Sequence, residues 1–213
     1  MPGSSSTGIL TGTGRPPIPP PLSGGDDDSR GRGASRRASF TGLMVLLAAS
    51  VMLIAAFTSA FVVRRGLSDD WVTMPLPRIL WVNTAVLLAS SVALELARRA
   101  LKSGRRTAFN RFWTAGTVLG LVFLAGQYAA WQQLYRAGIY IATNPSSSFF
   151  FLLTCVHAVH LIGGIGALGY VNIQALRLRL GPGKRTAVDV CAVFWHFLDG
   201  MWVYLLLLFL IWG

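Results

Sequence analysis

The chain ends with FWHFLDGMWVYLLLLFLIWG, residues Phe194 to Gly213, and this stretch decides the class of fold. It lies within an apolar run that is long enough for a helix crossing the hydrocarbon core of a bilayer, which takes about 20 mostly apolar residues. His196 and Asp199 interrupt the run, three residues apart. The stretch therefore predicts a membrane helix that carries an ionisable pair.

Four further stretches have the same apolar character. Together the five predicted spans cover residues 40–63, 79–97, 112–131, 147–171 and 187–212. Only α-helices suit these lengths, because the strands of a membrane barrel are about half as long. The sequence thus predicts an all-α protein, an integral membrane bundle of five transmembrane helices.

Composition and charge favour the same class of protein. The 213 residues are 53% hydrophobic and only 13% charged, with a net charge of +11. The basic residues fall in short clusters between the apolar runs, a distribution typical of membrane proteins rather than of nucleic-acid-binding proteins. We therefore expect membrane lipids as partners and no nucleic acid.

The basic clusters also predict an orientation. They precede span one and separate spans two and three, and spans four and five, whereas the alternate loops carry fewer Arg and Lys residues. The positive-inside rule then gives a cytoplasmic N-terminus and a C-terminus outside. Residues 1–39 are rich in Gly, Ser and Pro and predict a disordered cytoplasmic tail. The membrane domain is predicted to cover residues 40–213.

Four ionisable side chains are predicted at similar depth, near the middle of the membrane. His157 and His160 belong to span four, and His196 and Asp199 to span five. A spacing of three residues puts each pair on one helix face. Because the two spans are antiparallel neighbours, we expect their polar faces to meet in one cluster. Ionisable groups at this depth are costly and normally face a partner inside the bundle.

Three interpretations of this cluster remain open. It can be structural, with Asp199 accepting a hydrogen bond from a histidine and fixing span five to span four. It can be a proton relay, or it can ligate a metal or haem. The residue types suit a metal, but no Glu-x-x-His motif, second carboxylate or suitably placed cysteine supports one. The pattern favours the structural interpretation, and we assign no catalytic, cofactor-binding or metal-binding residue.

Other polar residues in the spans have simpler interpretations. Glu95 is followed by Arg98 and Arg99 at helical spacing, which predicts a local ion pair near the membrane interface. Asp189 is expected to anchor the N-terminal end of span five. Gln127 lies deeper in span three, where its amide can hydrogen-bond to a neighbouring helix, and we assign it to packing. The run GGIGALG, residues Gly163 to Gly169, predicts a face on which another helix packs closely.

Several of these stretches together resemble subunit III of the haem–copper oxidases, the cytochrome c and quinol oxidase family. The segment FWHFLDGMWVYLLLLFL, residues 194–210, is similar to the terminal helix of that family. NPSSSFFFLLTCVHAVHLIGG, residues 144–164, resembles its helix with a His-x-x-His pair and following glycines. Residues 80–101 and the first span are similar too, so the resemblance covers about residues 40–213. The chain looks like the short, five-helix form of the family.

The resemblance implies a function that the residues alone do not. It implies an accessory subunit of a proton-pumping terminal oxidase that reduces oxygen to water in a bacterial-type plasma membrane. This subunit would contact oxidase subunit I, assemble with subunit II, and hold phospholipid between its helices. It would carry no cofactor itself, with haem and copper in the partner subunits. The alternative is a freestanding transporter or proton-conducting protein that uses the His/Asp cluster.

One position departs from the family pattern. Many members carry a glutamate in the middle of the first of these helices, where AASVMLIAAF of this chain places Ser50. A serine cannot ionise, so a role that depends on that carboxylate is not expected here.

Overall fold

The computed structural model describes residues 24–67, 78–138, 145–177 and 185–212, and the side chains of residues 37–211 within those ranges. The chain forms five helices: α1 (Gly24–Leu67), α2 (Ile79–Lys102), α3 (Arg106–Arg136), α4 (Pro145–Leu176) and α5 (Arg185–Trp212). All five contain a stretch that is long and apolar enough to cross a membrane. The predicted all-α architecture of five spans is confirmed.

The predicted tail differs from the structure in part. Helix α1 begins at Gly24, so residues 24–39 are helical where the sequence predicted disorder. Extending an existing helix costs far less than nucleating one, and no proline interrupts residues 24–67. The rest of the predicted tail, residues 1–23, lies outside the described residues.

Local sequence explains where the other helices begin and end. Pro145 opens α4, a position at which its missing N–H is not needed for a helical hydrogen bond. Between α2 and α3 the chain reverses within three residues, and Gly104 there has a φ of 74°. Only glycine adopts this left-handed conformation at little cost. The tight reversal makes α2 and α3 an antiparallel hairpin.

Four of the helices close into a ring. Helix α2 packs on α3, α3 on α4, α4 on α5, and α5 again on α2, whereas α1 packs outside the ring against α4 and α5. Large aromatic side chains fill the inside, among them the fully buried Trp113, Phe123 and Trp195. Helix α5 packs along α1, α2 and α4, its tryptophans also reach α3, and it is the most buried of the five spans.

Candidate functional site

The ionisable pair of the terminal stretch lies between α5 and α2. The Nδ1 atom of His196 is in hydrogen-bond contact with the hydroxyl of Ser91 on α2. The same nitrogen is 3.8 Å from Oδ2 of Asp199, one turn further along α5. Asp199 is buried, and neither of its carboxylate oxygens has a hydrogen-bond partner in the described part of the chain.

Ser91, His196 and Asp199 do not form a nucleophilic triad, although the residue types match one. In a triad the two ring nitrogens have different roles: one takes the proton of the serine and the other is held by the carboxylate. Here both Ser91 and Asp199 approach the same nitrogen, Nδ1. The arrangement therefore joins two helices and does not activate the hydroxyl.

His160 joins α4 to α1. Its Nδ1 lies 2.8 Å from the carbonyl oxygen of Val156, and its Nε2 lies 3.1 Å from Oγ of Ser50. The Ser50 hydroxyl also lies 2.9 Å from the carbonyl oxygen of Leu46. Because a carbonyl only accepts, Nδ1 of His160 carries a proton. The contact between Nε2 and the Ser50 oxygen links the two helices.

His157 faces the inside of the ring instead. It is fully buried, and its imidazole lies against the indole of Trp202, with ring centroids 5.4 Å apart. The ring of Phe123 on α3 approaches it edge-on at 6.4 Å. Neither nitrogen of His157 has a hydrogen-bond partner among the described residues. This histidine packs as an aromatic ring between three helices.

The structure corrects the prediction of one shared cluster. His157 and His160 have different neighbours, and Asp199 has no hydrogen bond with either of them. Three separate contacts result: His160 with Ser50, His196 with Ser91 and Asp199, and His157 with Trp202. A spacing of three residues separates side chains by about 60° around a helix axis, which is enough for two different neighbours.

Glu95 forms the predicted ion pairs at one end of α2. Its carboxylate lies 2.9 Å from Nη1 of Arg98 and 3.2 Å from Nε of Arg99, which confirms that prediction. Asp189 differs from its predicted role as a helix-end anchor. It accepts hydrogen bonds from Nε and Nη2 of Arg98, at 3.2 and 3.1 Å. Arg98 thus bridges Glu95 on its own helix and Asp189 on α5.

Gln127 is buried in α3, in agreement with its assignment to packing. Neither atom of its amide has a partner in the described part of the chain. The predicted close packing of the glycine run holds at Gly164, where an added Cβ would lie 3.1 Å from Leu198. Gly163, Gly166 and Gly169 face open space instead.

Several contacts between helices were missed from the sequence. The indole of Trp202 donates to the hydroxyl of Thr84 at 3.0 Å, and the amide of Asn83 donates to the carbonyl of Phe123 at 3.0 Å. Close packing on α3 was also missed, although Gly116 and Gly120 are a pair of small residues at the spacing that permits it. An added Cβ there would lie 2.7 Å from Leu94 and 2.6 Å from Trp195, respectively.

The ionisable residues do not converge on a common point. Within the described ranges, no three His, Cys, Asp or Glu side chains are grouped so that they could hold a metal ion. The histidines turn their nitrogens to different helices or bury them against aromatic rings. The described histidines and carboxylates therefore offer no grouped set of three ligands for a metal ion.

Fold and site together define a class: a multi-pass helical membrane protein whose polar groups join its helices. Residues 38–213 match the family model for cytochrome c oxidase subunit III. The chain belongs to this family. The match begins two residues before the region of resemblance predicted from the sequence and ends with it, at Gly213.

Individual relatives agree with the family match. A probable cytochrome c oxidase subunit 3 from Nocardia farcinica is 29% identical over 166 residues, covering 76% of this chain and 82% of the relative. Cytochrome c oxidase subunit 3 of Thermostichus vulcanus is 27% identical over 171 residues, covering 77% and 82%. The Gallus gallus protein of that name is 30% identical over 132 residues, covering 62% of this chain but only 49% of the relative.

Proposed function

We propose that this chain is the accessory subunit III of a proton-pumping terminal oxidase that reduces oxygen to water in aerobic respiration. Its role there is to support and stabilise the catalytic subunit. The family match over residues 38–213 carries this proposal. The geometry agrees with it, because the polar side chains at hydrocarbon depth are used to join α1 to α4 and α2 to α5.

The proposal includes the partners and the location. Subunit I is the direct partner and subunit II completes the core of the complex, and these two chains hold the haem and copper. The membrane is a bacterial-type plasma membrane, which the bacterial relatives support. The N-terminus lies on the cytoplasmic side, which the distribution of Arg and Lys supports.

Bound phospholipid is part of the same proposal. An open groove of about 450 Å³ lies between α1, α4 and α5. Its walls are almost wholly apolar and include Leu46, Val159 and Phe194, and Gly163 keeps its surface open. A groove of this kind suits an acyl chain better than a polar ligand.

A support role follows from how the contacts are made. Each histidine of α4 and α5 fixes its helix to a neighbour, so the bundle offers a rigid surface to a partner. A freestanding transporter would need a continuous polar path instead. The described polar contacts are separate and lead in different directions, which favours the accessory subunit.

The test is purification of the tagged chain from its native membrane in a mild detergent. We expect it to elute with a haem-containing chain, and the complex to consume oxygen. Removing the chain from the assembled complex is expected to shorten the time over which turnover is sustained. Elution of the chain by itself, from membranes that contain an intact oxidase, would contradict the proposal.

A further inference from the structure

One strip of α5 is open although much of the helix is buried. The helix contacts α1, α2 and α4, yet four residues at intervals of about one turn are at least partly exposed. These are His196, Gly200, Tyr204 and Leu207. The strip runs along the middle of the span and continues toward its C-terminal end.

The strip forms the floor of a trough. Helices α1 and α2 both pack on α5, and the described residues show no extensive packing of α1 on α2. On the α1 side the hydroxyl of Tyr204 donates to Thr58, with the oxygens 3.1 Å apart. On the α2 side Ser91 contacts His196. We call this feature the α5 trough, with His196, Gly200, Tyr204 and Leu207 as its floor.

His196 places a polar atom in the trough at hydrocarbon depth. It lies eleven residues past the start of α5 and sixteen before its end, or roughly 16 and 24 Å along the axis. Its side chain is 36% exposed. Nδ1 faces Ser91 and Asp199, whereas Nε2 has no partner among the described residues. Acyl chains cannot hydrogen-bond to this nitrogen, so lipid is an unfavourable neighbour for it.

Gly200 lies one turn from His196 and leaves room for a close neighbour. A Cβ added at Gly200 would meet no atom within 4 Å. Small residues let the backbones of two membrane helices approach closely, and polar side chains beside them form hydrogen bonds across the contact. The trough thus combines an open strip between two helices, a small residue and an unpartnered hydrogen-bonding atom.

We propose that the α5 trough receives a transmembrane helix of the haem-containing catalytic chain, which packs on Gly200 and hydrogen-bonds to Nε2 of His196. The partner group is a hydroxyl or a carboxamide, because either can donate or accept and so completes the neutral ring in both of its tautomers. This inference rests on the proposed function, since it takes the catalytic chain as the partner.

The experiment fills the trough and compares it with an equally open glycine elsewhere. Gly200→Leu is matched by Gly166→Leu on α4, where an added Cβ also meets nothing within 4 Å. Each tagged variant is purified from native membranes, and haem per copy of the chain is measured. We expect Gly200→Leu to lose most of the haem and Gly166→Leu to retain it. His196→Leu is expected to weaken the association about three- to tenfold, as loss of one interhelical hydrogen bond does.

A photoreactive phenylalanine analogue identifies the occupant directly. Placed at Leu207 in the trough, it is expected to cross-link to the haem-containing chain. At Ile162, an exposed residue of α4, it is expected not to. Circular dichroism of each purified variant checks that the helices are intact. If Gly200→Leu does not fold, the cross-link test still applies, because it leaves Gly200 unchanged.

Three results would overturn the trough as the docking site. These are full haem retention in Gly200→Leu, equal loss in both glycine variants, and a cross-link from Leu207 to lipid or to a second copy of this chain. These results differ from failure of the proposed function. If the proposed function were wrong, the unmodified chain would itself purify without a haem-containing partner.

Discussion

At the scale of single residues, the histidines of this bundle owe their different contacts to small neighbours on other helices. Ser50 and Ser91 are unremarkable in an apolar sequence, yet each hydroxyl faces a histidine from another helix. His157 has no such neighbour and packs against Trp202. The polar partner, rather than the histidine itself, therefore determines what each position does.

Ser50→Ala is expected to loosen α1 without changing catalysis. It removes the hydrogen bond between Ser50 and His160, and interhelical bonds of this kind contribute about 0.6 to 2 kcal/mol in membranes. We predict a lower temperature of thermal unfolding for the purified complex and unchanged oxygen consumption per haem. Ser59→Ala, at an exposed position of α1, is the control and should leave both unchanged. A loss of turnover at unchanged stability would show that Ser50 acts in proton transfer.

Asp199→Asn tests the relay interpretation at the other pair. The nearest titratable group to Asp199 is His196 on its own helix, 3.8 Å away. We predict a smaller yield of assembled complex and unchanged oxygen consumption per haem, because the neighbours of this carboxylate serve helix packing. The measurements are oxygen consumption per haem and, in the same preparation, the yield of assembled complex. Normal assembly combined with abolished turnover would favour a relay through Asp199.

At the scale of elements, two glycines of α3 let α2 and α5 pack closely against it. Gly116 lies against Leu94, and Gly120 lies against Trp195, whose ring is fully buried. Backbone carbonyls exposed by this close packing accept hydrogen bonds, such as the one from Ser90 to the carbonyl of Gly116 at 2.8 Å. The hairpin is therefore joined by close backbone contact as well as by side chains.

Gly120→Ala is expected to destabilise the bundle. The new methyl group would lie 2.6 Å from Cη2 of Trp195, and overpacking of this kind typically costs about 1–3 kcal/mol. We predict a lower unfolding temperature in detergent. The matched control is Gly166→Ala, where the methyl group meets open space and should be neutral or slightly stabilising. Equal stability of the two variants would contradict the packing described for α3 and α5.

Sequence alone predicted the helices better than the contacts between them. Length and hydropathy set the five spans, because the thickness of the hydrocarbon core constrains any chain that crosses it. Whether two polar residues meet depends on the rotation of each helix about its axis. The neighbours of His157 are Trp202 and Phe123, large side chains of two other helices, and the periodicity of a single helix does not reveal such packing.

Tertiary packing also explains the surroundings of Gln127 and the error at Asp189. Gln127 is buried at a place where no described side chain or carbonyl forms a hydrogen bond with its amide. Asp189 meets Arg98 because α5 returns beside α2, a pairing of helices that are not consecutive in the chain. The local pair of Glu95 with Arg98 and Arg99 was predictable, since all three lie on one helix.

At the scale of the whole molecule, four helices form a ring and α1 is held at its outside by α4 and α5. The predicted orientation places the N-terminus on the cytoplasmic side. It is tested with single cysteines at Ser103, in the α2–α3 turn, and at Gly138, after α3, in a background without Cys155 and Cys191. We expect a membrane-impermeant thiol reagent applied to whole cells to label position 138 and not 103. The reverse pattern would show the opposite orientation.

The central claim is that the ionisable residues of this chain join helices and hold no redox cofactor. It is tested most directly by the absorption spectrum of the chain after it has been separated from the purified complex in detergent. We predict protein absorbance at 280 nm and no Soret band, with all haem in the partner fractions. A Soret band of about one haem per chain, lost on replacing His157 or His160, would contradict the account.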